Sequence, residues 1–284
     1  MEATPGRGDA FPGRLHPMRA SAVLILTLPL LLPVRATARA EGGMAGKVVK
    51  GGVFPEATDA SDEDSKRVLA DLKTAAADKD EKKMLDAVTP MVTRRHKDFV
   101  PELKKLLADR RDRVCAEAAL ALGSQGDKTA SPLLLKVLTA KTRDKEGYLK
   151  DPETKAAVAE ALGRLGEAKA ADAVRDLAND MRVAKEVHAK YARWVARGCV
   201  RYFGLVKDRE AVSYLLDEVD QPAPKDPNSS TNPGADYWKA RYDIWAEIRP
   251  EVIWALKEIT GKEFESARRW ENWFKDEGRK AGFK

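Results

Sequence analysis

The chain has 284 residues, 43% of them hydrophobic and 34% charged, so it can bury a sizeable core beneath a heavily solvated surface. Aromatics make up only 7%, and the helix-forming residues Ala, Leu, Lys, Glu and Arg dominate. The formal charge of +6 is no argument for a nucleic-acid partner, because much of it sits in the first forty residues.

Those residues read as a secretory leader. Arg7, Arg14 and Arg19 precede a charge-free apolar run from Ala20 to Val34 (ASAVLILTLPLLLPV), and Ala36, Ala38 and Ala40 offer small-x-small cleavage sites. The run is shorter than the roughly 20 residues a membrane span needs, and it contains Pro29 and Pro33. A retained N-terminal anchor is the alternative, and Met18 competes with Met1 as the start. With residues 1–40 removed, 46 basic residues face 43 acidic ones and the charge falls to +3. The mature chain is expected to be exported, periplasmic or secreted, with no transmembrane anchor after cleavage.

Gly42, Gly43, Gly51, Gly52 and Pro55 predict a flexible linker over 41–60. Helices are predicted near 61–77 and 79–94, followed by leucine-periodic helices at 100–108, 131–138, 171–178 and 211–219, each with one apolar stripe. Between them lies a repeat. Residues 114–127 (VCAEAALALGSQGD) align without a gap on 154–167 (TKAAVAEALGRLGE) at a shift of 40. Residues 195–208 (VARGCVRYFGLVKD) follow at a shift of 41, and a fourth copy is recognisable in 248–257 (IRPEVIWALK). Each copy predicts a helix with small residues where another helix must approach closely, and in two copies a second Gly suits a helix end and tight turn. A two-helix unit cannot bury both its stripes alone, so neighbours must stack.

A period of 40–41 residues belongs to HEAT and armadillo arrays. Asp112, Val114, Ala118, Ala119, Ala121, Leu122, Gly123, Gly126 and Asp127 give a pattern that resembles the inner helix and turn of HEAT repeats, including the bacterial HEAT-like repeats related to phycobilisome lyases. The resemblance covers roughly residues 61–278. It implies an all-α fold, a right-handed α-solenoid of about five HEAT-type helix pairs, with residues 279–284 left as a C-terminal tail. The usual Arg is replaced by Cys115 and Lys155 and reappears as Arg249. Ile259 to Phe264 with Trp270 and Trp273 resembles the closing segment of exported bacterial HEAT proteins, and the tryptophan pair is expected to cover the last layer.

The repeat register puts Cys115 and Cys199 two repeats apart, on the order of 20 Å at about 10 Å per helix layer. A disulfide needs about 7 Å, so both are read as buried thiols. His96 and His188 have no Cys or His nearby, and no metalloprotease, thiol-redox or nucleophile-elbow motif appears. Gly123-Ser-Gln-Gly126 falls in the repeat's turn rather than between a strand and a helix. Asp78, Asp80 and Glu81 are read as caps, and Asn228-Ser-Ser as a chance glycosylation pattern. No enzyme activity, cofactor or metal is expected.

Two features exceed what a plain helical array needs. Lys190, Arg193, Arg197 and Arg201 fall on one side of a helix around 186–206, near Tyr191, Trp194 and Tyr202, a composition typical of interface hot spots. The alternative is a face partly neutralised by acids on neighbouring helices. The proline-rich stretch 221–236 (QPAPKDPNSSTNPGAD) predicts a projecting loop, followed by Tyr237, Trp238, Arg241, Tyr242, Trp245 and Arg249. Trp245 and Trp254 are expected in the core, and Tyr237, Trp238 and Arg241 at the surface. A third basic cluster, residues 94–97 with Lys104, Lys105, Arg110, Arg111 and Arg113, reads as ordinary charged surface.

Together these predict a non-catalytic protein-binding scaffold. Its partner would be acidic and would bind the concave face of the C-terminal repeats through Lys190, Arg193, Arg197, Arg201, Tyr237, Trp238 and Arg241. Binding of nucleic acid or another polyanion along the Arg and aromatic stripe is the competing reading. A bilin lyase, the third, has no matching catalytic motif here.

Overall fold

The computed structural model describes residues 57–140, 151–183, 189–224 and 226–284, with side chains described outside 181–193. The leader and most of the linker lie outside these residues, as does His188. The regular structure of the described residues is helical except for one parallel pairing of two-residue strands, β1 (Thr58–Asp59) with β2 (Arg94–Arg95). No helix in it is long and apolar enough to cross a membrane.

Helices α1 (Asp62–Ala77) and α2 (Glu81–Thr93) open the fold close to their predicted bounds. Ser61 caps α1 by accepting from the Asp64 amide at 3.1 Å, and Asp62, Glu63 and Asp64 complement the positive end of its dipole. Asp80 caps α2 through the Lys83 amide, as its position between helices predicts. The end of the linker is tied down: besides the β1–β2 register, the Ala60 amide donates to Arg95 O at 2.9 Å.

From there two kinds of helix alternate. Helices α4 (Asp112–Gln125), α6 (Pro152–Arg164), α8 (Ala189–Val206) and α10 (Ala235–Thr260) pack in succession, α4 on α2, α6 on α4, α8 on α6 and α10 on α8. Helices α3 (Phe99–Leu106), α5 (Ser131–Thr139), α7 (Ala171–Val183) and α9 (Val212–Asp217) each lie against the member of that row that follows them. The core between runs from Val68 to Phe274 as one apolar cluster.

The repeated motif divides its labour between two glycines. The first allows helices to touch. A Cβ on Gly123 would stand 2.8 Å from the Ala161 Cα, one on Gly163 3.1 Å from the Tyr202 Cα, and one on Gly204 3.0 Å from the Ala255 Cα and 2.4 Å from the Trp254 ring. These three glycines occupy the same repeat position, so α4 meets α6, α6 meets α8 and α8 meets α10 at the same level. The second glycine ends the helix: Gly126 and Gly166 have φ of +74° and +69°, where a Cβ is penalised. In the third copy that left-handed position is held by Lys207, with φ of +56°. The acidic residue that follows caps a one-turn 3₁₀ helix, Asp127 through the Thr129 amide, Glu167 through Lys169 and Asp208 through Glu210.

The array closes with α11 (Ala267–Trp273), which lies against α9. Trp270 is fully buried, and its Nε1 donates to Phe264 O at 2.9 Å; Trp273 packs edge-on against it with ring centroids 5.8 Å apart. Residues 279–284, read from sequence as a tail, fold back onto α9. The Ser213 amide donates to Lys284 O at 2.8 Å, Arg209 donates to Ala281 O, and Phe283 lies under the Arg209 guanidinium. Cys115 and Cys199 are free and buried; burial pushes the Cys199 thiol up to about 12, so it stays protonated.

Candidate partner-binding site

Two members of the arginine stripe on α8, Arg197 and Arg201, do not lie on an open surface. Arg201 donates through Nε and Nη2 to Glu251 Oε2 and Oε1 at 3.2 and 2.9 Å, and through Nη1 to Glu160 Oε2 at 2.9 Å. Glu160 also accepts from Arg164 Nη2 at 2.5 Å, and Arg164 Nη1 reaches Ser124 Oγ at 2.6 Å. One turn back on α8, Arg197 Nη2 meets Glu247 at 2.9 Å and its Nε lies 3.1 Å from Glu251. Its guanidinium also stands 5.3 Å from the Trp194 ring centroid. Three arginines and three glutamates thus tie α6, α8 and α10 into one network that reaches Ser124 on α4.

The network is buried: Glu160, Glu251 and Arg197 are 4%, 4% and 8% exposed. Burial alone would raise the Glu160 carboxyl, but Arg164 and Arg201 outweigh it and hold the group below the usual carboxylate range. For Glu251 burial wins over Arg201 and Arg197, and its pKa is raised. Burial opposes the charge on Arg201, yet Glu160 and Glu251 outweigh it and lift its pKa. Arg197 and Arg201, expected at a partner-binding face, are therefore corrected to interior ion pairs. The physical reason is that each faces carboxylates on a neighbouring helix, Arg197 on α10 and Arg201 on α10 and α6. Lys190 and Arg193 have side chains outside the described residues. Tyr202 is likewise interior, fully buried with its hydroxyl donating to Glu167 O at 3.0 Å.

The residues after the proline-rich stretch form a different surface. The loop ends at Gly234, and α10 starts at Ala235, within the span read as loop. Its first buried residue is Ile244, so the nine residues 235–243 form an overhang with no buried member. Tyr237, Trp238 and Arg241 are half-buried there, and Tyr242 is 43% exposed. Trp238 packs edge-on against Tyr237 at 5.2 Å, and Tyr242 lies 5.5 Å from the Trp245 ring. Trp245 and Trp254, expected in the core, are only half-buried. Trp245 Nε1 and Arg249 Nε both donate to Val219 O, at 3.2 and 3.3 Å, which pins α10 to the end of α9.

Several members of the basic cluster at the front are engaged locally. Arg95 Nε donates to Ser124 O, Lys105 pairs with Glu102, Arg111 with Asp109, and Lys104 Nζ donates to Thr129 Oγ1. His96, its side chain 9% exposed, holds Asp62 through Nε2 at 2.9 Å and lines a cleft of about 510 Å³ with Asp59, Arg95 and Lys97. Among the described residues no group of three or more His, Cys, Asp or Glu is placed to hold a metal ion.

Of the seven residues expected at the site, the structure thus gathers Tyr237, Trp238 and Arg241 and turns Arg197 and Arg201 inward. Tyr242 and Arg249 stand four and eleven residues after Trp238, which puts them on the same side of the helix, a signal present in the sequence. No protein-family model and no curated protein sequence matches the chain.

Proposed function

We propose that this chain is an exported, non-catalytic α-solenoid of HEAT type that binds a protein partner at its C-terminal repeats. The observation that carries the reading is the overhang of α10: nine helical residues with none buried, bearing Tyr237, Trp238, Arg241 and Tyr242. Aromatic rings with an arginine are the usual anchors of protein interfaces, because they bury much area for little lost side-chain freedom. The solenoid reading draws support from the successive packing of α2, α4, α6, α8 and α10 and from the glycine contacts that recur at one repeat position. Export rests on the leader grammar of residues 1–40. Against the polyanion reading, half of its cationic stripe is already neutralised by Glu160, Glu247 and Glu251.

Affinity capture from a cell-envelope extract tests this, using the wild type beside a Trp238→Ala/Arg241→Glu variant. One protein held by the wild type and lost by the variant is expected. Retention only of nucleic acid that washes off with salt would contradict it.

A further inference from the structure

Helix α9 is six residues long and ends at Asp217, whereas α10 beside it runs for 26 residues. The pair is pinned at Val219 by Trp245 and Arg249. N-terminal to that level, the flank of α10 that an outer helix covers elsewhere in the array has no outer helix among the described residues. On a helix, Trp238, Arg241, Tyr242, Trp245 and Arg249 share this flank at spacings of three, four, seven and eleven from the first.

Two properties of the flank say what fits it. Its rings keep unused polar ends: among the described residues Trp238 Nε1 and the Tyr237 and Tyr242 hydroxyls make no hydrogen bond, unlike Trp245 and Trp270, whose indoles are both satisfied. Its cations lack carboxylates. Arg249 is held by two main-chain oxygens, of Val219 and Glu265, and Arg241 has no ion-pair or hydrogen-bond partner among the described residues. Elsewhere on α8 and α10 the pattern is the reverse, with Arg197, Arg201 and Lys239 each paired to an acid.

We propose that this flank receives an acidic amphipathic helix of a partner protein, laid where α9 stops. Nine residues at 1.5 Å each give about 13 Å of helix beyond the level where α9 stops, with Tyr242 exposed and Trp238 and Arg241 half-buried along it, enough for two to three turns. Apolar side chains of the incoming helix lie on Trp238 and Tyr242, and its carboxylates face Arg241, a helix-in-groove arrangement. The inference rests on the protein-binding reading and adds the partner's chemistry and secondary structure.

The probe is a synthetic amphipathic helix of about 14 residues, about four turns, with Leu on one face and Glu on the other. A second peptide carries Lys in place of Glu. Binding to the full chain is read by tryptophan fluorescence, with circular dichroism checking that each variant stays folded. The acidic peptide is expected to bind saturably and the basic one not. Trp238→Ala and Arg241→Glu, neither of which removes a hydrogen bond or ion pair among the described residues, should each weaken binding by about tenfold or more. Equal binding of both peptides, or affinity unchanged in both variants, overturns the proposal. So does a concentration-dependent dimer in sedimentation that Trp238→Ala dissolves, because the occupant is then a second copy. Should no acidic peptide bind while the extract still yields a partner lost by the double variant, the acidic helix falls and the protein-binding reading stands.

Discussion

Arg201 grips Glu251 with two nitrogens, Nε at 3.2 Å and Nη2 at 2.9 Å, and so joins α8 to α10 by a bidentate pair inside the fold. Its third nitrogen reaches Glu160 on α6. Removing this one side chain would take one counter-charge from each of two buried carboxylates, leaving Glu160 to Arg164 and Glu251 to Arg197, while the two also sit within each other's field. Breaking a buried pair in this way costs about 3–5 kcal/mol, so Arg201→Leu should lower the urea midpoint markedly. Arg201→Glu should prevent folding, and a charge reversal at 197 and 201 tests stability rather than partner binding. An Arg201→Leu protein as stable as wild type would show that the network contributes nothing.

Glu117 offers a test of burial by pH. It is 8% exposed on α4; burial raises its pKa, opposed by a hydrogen bond from Thr89 and by Arg113, and reinforced by Glu160. With the folded pKa above the unfolded one, the native state takes up the proton more readily. The carboxylate therefore penalises folding at neutral pH, and the penalty fades as pH falls towards the ordinary glutamate range. Glu117→Gln should raise the melting temperature at pH 7, and the gain should shrink on acidification. A gain independent of pH would mean that charge burial is not its cause.

The paired glycines should respond in opposite ways. Ala is the better helix former by about 1 kcal/mol, yet Gly123→Ala would drive a Cβ to 2.8 Å from the Ala161 backbone. Overpacking of this kind costs about 1–3 kcal/mol, so the substitution should destabilise. At Lys207 the left-handed φ of +56° penalises any side chain. Lys207→Gly should stabilise by a few tenths to about 1 kcal/mol, restoring the residue found at 126 and 166. Denaturant melts of the two variants read both signs, and a stabilised Gly123→Ala would mean the helices can part at no cost.

Much of this was legible in the sequence. The shift of 40 to 41 residues located the inner helices, their turns and the approach of small residues, because stacking repeats the same contacts at the same positions. Spacing on α8 put Arg197 and Arg201 on one face but could not say what that face meets, since Glu247 and Glu251 lie some fifty residues further on. One signal was available: Glu160 and Arg201 hold the same repeat position, 41 residues apart, and equivalent positions on successive helices are neighbours. The docking of residues 279–284 had no such signal, because it joins main-chain bonds at Ser213 and Arg209 to side-chain contacts of Arg209 and Glu210 some seventy residues earlier, outside the repeated pattern. The overhang was half legible. The prolines mark the interruption, but only the fold reveals that α9 stops short and leaves Tyr242 exposed beside a half-buried Trp238.

Leu133 on α5 and Tyr242 on α10 are the two large hydrophobic side chains most exposed among the described residues, at 42% and 43%. They provide the most direct measurement of the central claim. A photo-crosslinking amino acid at either position, activated in the cells that produce the protein, reports what touches each site. Partner binding at the α10 flank predicts one discrete protein adduct from position 242, lost on adding Arg241→Glu, and none from position 133. Equal adducts from both positions, or none from 242, would contradict it.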